Sequence, residues 1–188
     1  MSKKVAVVYH SGYGHTQRLA EAVLAGAAGV AGVEARLFPV GELDDAAWAE
    51  LDAADALIFG SPTYMGSATA KFKEFMEASS KRWYTQVWKD KLAGGFTVSA
   101  SQNGDKASTL MQLFIFAQQH GMLWMGPGLM PGNNHSGGSV EDLNRLGCQF
   151  GAMAQCGGDQ GAEHIPASDL RTAEALGQRI AQSALRFA

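Results

Sequence analysis

Short, continuous apolar runs of strand length alternate along this chain with longer stretches whose apolar residues recur at helical spacing. A parallel sheet with helices packed on its faces is the architecture that this alternation specifies. Lys4–Tyr9 reads as the first strand, too uninterrupted in its apolar character to have a wet face. From Thr16 to about Ala31, Leu19, Val23, Ala27 and Val30 recur at helical period while Gln17, Arg18 and Glu21 fall elsewhere, which predicts an amphipathic helix. Val33–Pro39 reads as a second strand, Asp45–Leu51 as a short helix, Ala54–Ser61 as a third strand and Thr69–Ser80 as a helix burying Phe72, Phe75 and Met76. Lys91–Ser99 reads as a fourth strand, Ala107–Gln119 as a helix stopped by Gly121, and Met122–Met125 as the start of a fifth strand. Residues 126–165 hold many glycines and little periodicity, and a loop of that length is usually functional or covered by a partner. Ser168 is expected to cap a last helix whose Leu176, Ile180, Ala184 and Phe187 form one apolar stripe. Five parallel strands in the order 2-1-3-4-5 with about five helices make one three-layer α/β domain over residues 1–188. In such a sheet the ligand sits at the carboxyl ends of the strands, beside the point where the strand order reverses.

Composition removes several classes of function. With 15 Lys+Arg against 18 Asp+Glu the net charge is −3, which gives nucleic acid no electrostatic attraction. No apolar run approaches the roughly 20 residues that cross a bilayer, so no membrane span is expected. Met1-Ser2-Lys3-Lys4 leads straight into the first strand without a secretory signal, and the cytoplasm is the expected compartment. Cys148 and Cys156 lack CxxC spacing and read as free thiols, and His10, His135 and His164 are not spaced as metal ligands. The 23 glycines of 188 residues, about 12% against a usual ~7%, point to many loops with close backbone approach.

Three loops could carry chemistry. His10-Ser11-Gly12-Tyr13-Gly14-His15-Thr16-Gln17 joins the first strand to a helix N-terminus, where unpaired N–H groups and a partial positive charge favour phosphate. A Walker A loop would need Gly-Lys-Ser/Thr, yet no lysine occurs between Lys4 and Lys71. A dinucleotide fingerprint would need a third glycine where Gln17 stands and a carboxylate after Leu37-Phe38-Pro39. What remains is a hydroxyl-rich loop in which Ser11, Thr16 and the backbone N–H groups of Tyr13 to Gln17 wrap a phosphate monoester such as that of flavin mononucleotide, or else an ordinary turn with a Thr16 cap. Gly60-Ser61-Pro62-Thr63-Tyr64-Met65-Gly66-Ser67 leaves the third strand, and its Thr63, Tyr64 and Met65 read as projecting over the site, where an aromatic or thioether can cover a flat ring. Ser99-Ala100-Ser101-Gln102-Asn103-Gly104-Asp105 leaves the fourth strand, and its small polar residues suit the edge of a pyrimidine-like ring.

Together these segments resemble the WrbA family of flavodoxin-like NAD(P)H:quinone oxidoreductases. Ser11-Gly12-Tyr13-Gly14-His15 is similar to the family's phosphate loop, and Phe59-Gly60-Ser61-Pro62-Thr63 with Gly66 to its second flavin loop. His120-Gly121-Met122 matches a family tripeptide, and Gln149-Phe150-Gly151-Ala152 followed by Gly157-Gly158-Asp159 its late glycine-rich segment. The resemblance implies a flavodoxin-like fold, bound FMN, and two-electron transfer from NAD(P)H through FMN to a quinone. It also implies a homotetramer or homodimer whose sites draw on more than one subunit. It assigns the phosphate to Ser11, Tyr13, Gly14, His15 and Thr16. It assigns the ring to Pro62, Thr63, Tyr64, Met65, Gly66, Ser99, Ala100, Ser101, Gln102, Asn103 and Gly104. His120 would be a catalytic residue near the reactive face, and Trp83 would reach a neighbouring subunit's substrate pocket. Tyr64-Met65 stands where the family has Arg-Phe, which removes a cation and an aromatic. The third loop lacks the family's Thr-Gly-rich pattern, and the segment after the second strand is shorter.

The residues also admit plainer roles. His120 reads equally as a histidine at a helix C-terminus, and Trp83, Tyr84 and Trp88 as core or interface. A flavodoxin-type FMN carrier and a regulatory protein that keeps the fold without flavin are the alternatives to a reductase. A carrier usually presents a strongly acidic face, which scattered carboxylates at −3 do not supply.

Overall fold

In the computed structural model, which describes residues 2–187, six parallel strands form one sheet with helices on both faces. In chain order these are β1 (Lys3–Tyr9), α1 (His15–Ala28), β2 (Val33–Pro39), α2 (Asp45–Ala53), β3 (Ala56–Pro62), α3 (Ala70–Ala78), α4 (Ser80–Thr85), β4 (Leu92–Ser99), α5 (Lys106–Gln119), β5 (Leu123–Trp124), β6 (Ala152–Gln155) and α6 (Ala167–Arg186). The order is β2-β1-β3-β4-β5, the flavodoxin-like arrangement.

Alternate residues of each strand enter different cores because strand side chains alternate in direction. Val5, Val7 and Tyr9 face α1 and α6, packing with Leu19, Val23, Leu176 and Ile180. Ala6 and Val8 face α2, α3 and α5, where Phe59, Phe72, Phe75, Trp88 and Phe116 form an aromatic cluster. Both faces are therefore dry, as the uninterrupted apolar runs require.

The sheet differs from expectation at its far edge. The fifth strand is only two residues long and pairs the start of β4, Leu92↔Leu123 and Ala93↔Trp124. The carboxyl half of β4, from Phe96 to Ser99, pairs instead with β6. A fifth strand is thus divided in two by residues 125–151. The ends of this excursion are tied by the Trp124 indole N–H, which donates to the Phe150 carbonyl at 2.9 Å, and by packing of Trp124 with Phe114 and Phe150.

The excursion is fastened to α6 by its own chain. The Asn144 amide donates to Thr172 Oγ1 at 2.8 Å, and Arg145 grips Asp169 through two bonds of 2.8 and 2.7 Å. Ser168 therefore does not cap α6: its hydroxyl donates to the Val140 carbonyl at 2.8 Å, and Pro166 holds the cap position. Phe187 lies past the helix end and is exposed, outside the apolar stripe. The short α4 was not expected. Arg82 in it bonds Asp52 at 2.9 Å and lies over the Trp48 ring, while the Trp88 indole N–H donates to the same carboxylate at 2.9 Å. Trp88 is consequently core, whereas Trp83 and Tyr84 are exposed.

Most of the 23 glycines lie in loops, as expected, but five sit inside α-helices or β-strands, at Gly26, Gly60, Gly94, Gly95 and Gly177, and serve packing there. A Cβ on Gly26 of α1 would lie 1.9 Å from the Glu174 carbonyl oxygen, and one on Gly177 of α6 would lie 2.0 Å from that of Val23. Helix propensity alone would favour alanine by about 1 kcal/mol, but here the added methyl meets backbone. Gly177→Ala is expected to destabilise the protein by about 1–3 kcal/mol, measured by urea unfolding; a stabilised variant would contradict this packing.

Candidate functional site

Four loop segments converge at the carboxyl edge of the sheet around a cavity of about 510 Å³, within the size range of small-molecule sites. Ser11, Gly12, Tyr13, His15 and Thr16 form one wall, Pro62, Thr63 and Tyr64 a second, and Val98, Ser99 and Ala100 a third. The fourth is Cys156, Gly158, Asp159, Gln160 and Gly161, which follow β6.

The first wall presents unpaired donors to the cavity. Gly14 precedes α1 with φ of +89°, a left-handed conformation that suits glycine, and no side chain caps the helix. The Ser11 hydroxyl oxygen accepts from the Gly14 amide at 3.0 Å, which shapes the turn. Thr16 is not a cap: it lies inside the first turn, fully buried, with Oγ1 lacking any hydrogen-bond partner. An unpaired buried hydroxyl is costly, and the open amides of the first turn, in a turn without acidic residues, add a positive potential. A phosphate would complete both. His15 Nε2 lies 2.8 Å from the Gln160 carbonyl oxygen, so this nitrogen carries the proton and joins the first and fourth walls.

The second wall is rigid below and open above. Thr63 Oγ1 lies 2.8 Å from both Thr97 Oγ1 and Thr109 Oγ1, and its amide donates to the Val98 carbonyl at 2.9 Å. Thr69 caps α3 by accepting from Phe72 N at 3.2 Å and also meets His10 Nδ1 at 2.9 Å, which links the first two loops. Burial and nearby Lys71, opposed by Glu74, lower the His10 pKa. Tyr64 and Ser67 exchange backbone bonds of 2.9 and 3.1 Å around Met65 and Gly66, whose φ values of 51° and 73° make a tight hairpin turn. Met65 is therefore the fully exposed tip of a turn, outside the cavity, while Tyr64 lines it beside Tyr13, ring centroids 6.2 Å apart.

The remaining expected site residues are divided. Gly14 and Gly66 shape their turns without lining the cavity, and Ser101, Gln102, Asn103 and Gly104 lie outside it. Gln102 and Asn103 line a separate cavity with Arg145 and Cys148. His120 and Trp83 are brought together in another cavity of about 370 Å³, with Met76, Ser79, Ile115 and Phe116, and not with the four walls. The Ser79 hydroxyl donates to the Met76 carbonyl at 2.7 Å, so His120 Nε2 donates to Ser79 Oγ at 2.9 Å and Nδ1 is left as an unpaired acceptor. Burial against Trp88 and Phe116 pushes the His120 pKa down to about 4. At neutral pH this imidazole is uncharged, so it brings no cation to the C-terminus of α5. Residues 126–165 offer no strand pattern, so the sequence does not point to the fourth wall; within the wall itself Gly157-Gly158-Asp159 carries the one signal, as part of the family's late glycine-rich segment. In that wall burial, then Glu163 and Asp159, raise the Cys156 pKa, and the thiol stays protonated.

Comparison with known proteins identifies the family. The profile of the NADPH-dependent FMN reductases matches residues 4–136. The chain belongs to this family. It is 45% identical over 185 residues to flavodoxin FldP of Pseudomonas aeruginosa, covering 97% of this chain and 96% of that one. It is 32% identical to an NAD(P)H dehydrogenase (quinone) of Chromohalobacter salexigens, covering 98% of each. Among solved structures, a flavodoxin, WrbA-like protein from Agrobacterium tumefaciens superposes over the whole of both chains with TM-score 0.79 and 43% identity. The WrbA-type resemblance therefore holds, and the protein is an FMN-binding oxidoreductase of flavodoxin-like fold. Among the described residues no helix is long and apolar enough to cross a membrane.

Two outcomes follow from this geometry. Thr16→Val removes a hydroxyl that bonds nothing in the ligand-free protein, so unfolding free energy should hold or rise. FMN affinity should fall about tenfold or more, since a hydrogen bond to a charged acceptor contributes roughly 1.5–3 kcal/mol; unchanged affinity in fluorescence titration would remove Thr16 from the phosphate site. His120 titrates near 6.5 when unfolded and about 4 when folded, so its contribution is complete above pH 6.5 and is lost as pH falls toward 4. That loss is about 3 kcal/mol, read from urea midpoints across pH, and His120→Gln should flatten this part of the profile.

Proposed function

We propose that the protein takes a hydride from NAD(P)H through bound FMN and delivers it to a quinone or related acceptor in two-electron steps. FMN supplies the chemistry: it holds two electrons and a proton between donor and acceptor. The observation that carries the reading is the cavity itself, with an unsatisfied anion pocket at one end and tyrosines at an open rim. Ser11, Thr16 and the first-turn amides of α1 would hold the phosphate. Pro62, Thr63 and Tyr64 would fix one side of the ring, and Ser99 and Ala100 the other, so that donor and acceptor meet it in one orientation.

The exposed Tyr64-Met65 turn offers no cation to the donor, which leaves recognition of NAD(P)H to other contacts. Trp83 and His120 line an apolar cavity that is separate within one chain. They act on substrate in this reading only where a second copy apposes that cavity to its own FMN, as in a homodimer or homotetramer. His120, with Nε2 bonded to Ser79 and Nδ1 buried, would there serve to shape the cavity wall as an uncharged ring rather than as a proton donor. The quinone-acting relatives at about 32% identity support the reductase.

The relative at 45% identity named a flavodoxin favours the second reading, an FMN electron carrier. An anaerobic titration of the FMN-loaded protein separates them. Bleaching by NADPH or NADH, reversed by benzoquinone, is the expected result. No bleaching by either nucleotide, with one-electron steps under dithionite, would establish the carrier.

A further inference from the structure

Behind the third wall lies a charged group that the reading above does not use. Lys106, the first residue of α5, is 1% exposed, and its ammonium makes three hydrogen bonds: to Ser99 Oγ at 2.8 Å, to the Ser101 carbonyl at 3.0 Å and to the Gln102 carbonyl at 2.8 Å. All three acceptors are neutral, and among the described residues no carboxylate lies within salt-bridge distance of it. Asp169, the buried carboxylate in its surroundings, is engaged by Arg145 through two bonds and by the Gln155 amide at 3.0 Å. A buried cation solvated only by neutral oxygens is costly unless something nearby becomes negative.

Ser99 connects this cation to the flavin cavity, which it lines. The same three bonds set the loop. A trans peptide points its carbonyl and the following N–H in opposite directions. With the Ser101 and Gln102 carbonyls turned to Lys106, the amides of Gln102 and Asn103 face away from the ammonium.

We propose that Lys106 is a positioning residue of the flavin site, a buried cation one hydrogen bond behind the cavity wall that fixes the Ser99–Gln102 loop and favours FMN in its two-electron-reduced, negatively charged form. Hydride carries two electrons and one proton, so neutral isoalloxazine plus hydride gains one negative charge. A cation nearby lowers the free energy of that charged state relative to the oxidised one. The proposal rests on FMN occupying the cavity and is independent of which donor or acceptor is used.

Burial lowers the Lys106 pKa to about 8, with Asp169 and Cys148 opposing that fall and Arg145 adding to it. The effect therefore has a pH signature. Reduction of FMN raises the affinity of Lys106 for its proton, so reduction takes up extra protons as pH rises through about 8. The midpoint potential then falls more steeply with pH there.

The test is the two-electron midpoint potential of bound FMN, measured with dithionite and reference dyes from pH 6 to 9.5 in the wild type and in Lys106→Met. The affinity of each variant for oxidised FMN is measured alongside. Lys106→Met is expected to lose about tenfold in its preference for reduced over oxidised FMN at pH 7, which is about 30 mV for a two-electron couple, and to lose the steeper limb near pH 8. An unmoved potential, with both redox forms weakened equally or not at all, would reduce Lys106 to a structural prop and overturn the proposal. Should Lys106→Met fail to fold, the wild-type profile decides: a steeper limb near pH 8 supports the proposal, and a slope unchanged through that range overturns it. Because dithionite is the reductant, failure of NAD(P)H to act as donor would leave this result intact.

Discussion

The site depends on β4 being hydrogen-bonded along one edge by two short strands in succession. β5 secures its start and β6 its end, and between them residues 125–151 leave the sheet and return. A parallel sheet ends its strands at one edge, so the return of β6 adds a fourth loop to the three already there. Without that pairing, Cys156 to Gly161 would have no fixed relation to the phosphate loop, and the His15–Gln160 bond would have nothing to close. The bidentate Arg145–Asp169 pair and the Asn144–Thr172 bond hold the excursion against α6, and the same Asp169 receives the Gln155 amide at the end of β6. One buried carboxylate thus links excursion, strand and helix.

Electrostatically the cavity separates two kinds of positive potential. At the phosphate end it comes from the amide dipoles of α1 and unpaired hydroxyl hydrogens, with no lysine. Behind the third wall it comes from a full charge kept out of water. Dipoles can hold a ligand whose charge is constant, whereas a full charge can bias a ligand whose charge changes on reduction. An FMN seated as proposed would meet the dipoles at its phosphate and the full charge on the side of its ring.

Legibility in the sequence followed element length and dryness. β1, β3 and β4 are buried on both faces and read directly as apolar runs, and α1 as a periodic stripe, so the strand order and the loop between β1 and α1 were visible. β6 was hidden because Ala-Met-Ala-Gln is short and sits among glycines, and with it went the fourth wall. Six-residue α4 is mostly polar and is held by Arg82 and Asp52, a pairing distant in sequence. Met65 looked like a ring cover because its neighbours did, yet the positive φ of residues 65 and 66 turns it outward. Nothing in the sequence singles out Lys106, because its burial and its three oxygen partners arise only from the fold.

In the proposed complex this cavity holds FMN with its phosphate on the first turn of α1. A crystal structure of the FMN complex tests it most directly. Phosphate oxygens are expected within hydrogen-bond distance of Thr16 Oγ1 and the first-turn amides, with the ring between Pro62–Tyr64 and Ser99–Ala100. A phosphate bound elsewhere, with Thr16 Oγ1 still unpaired, would contradict it.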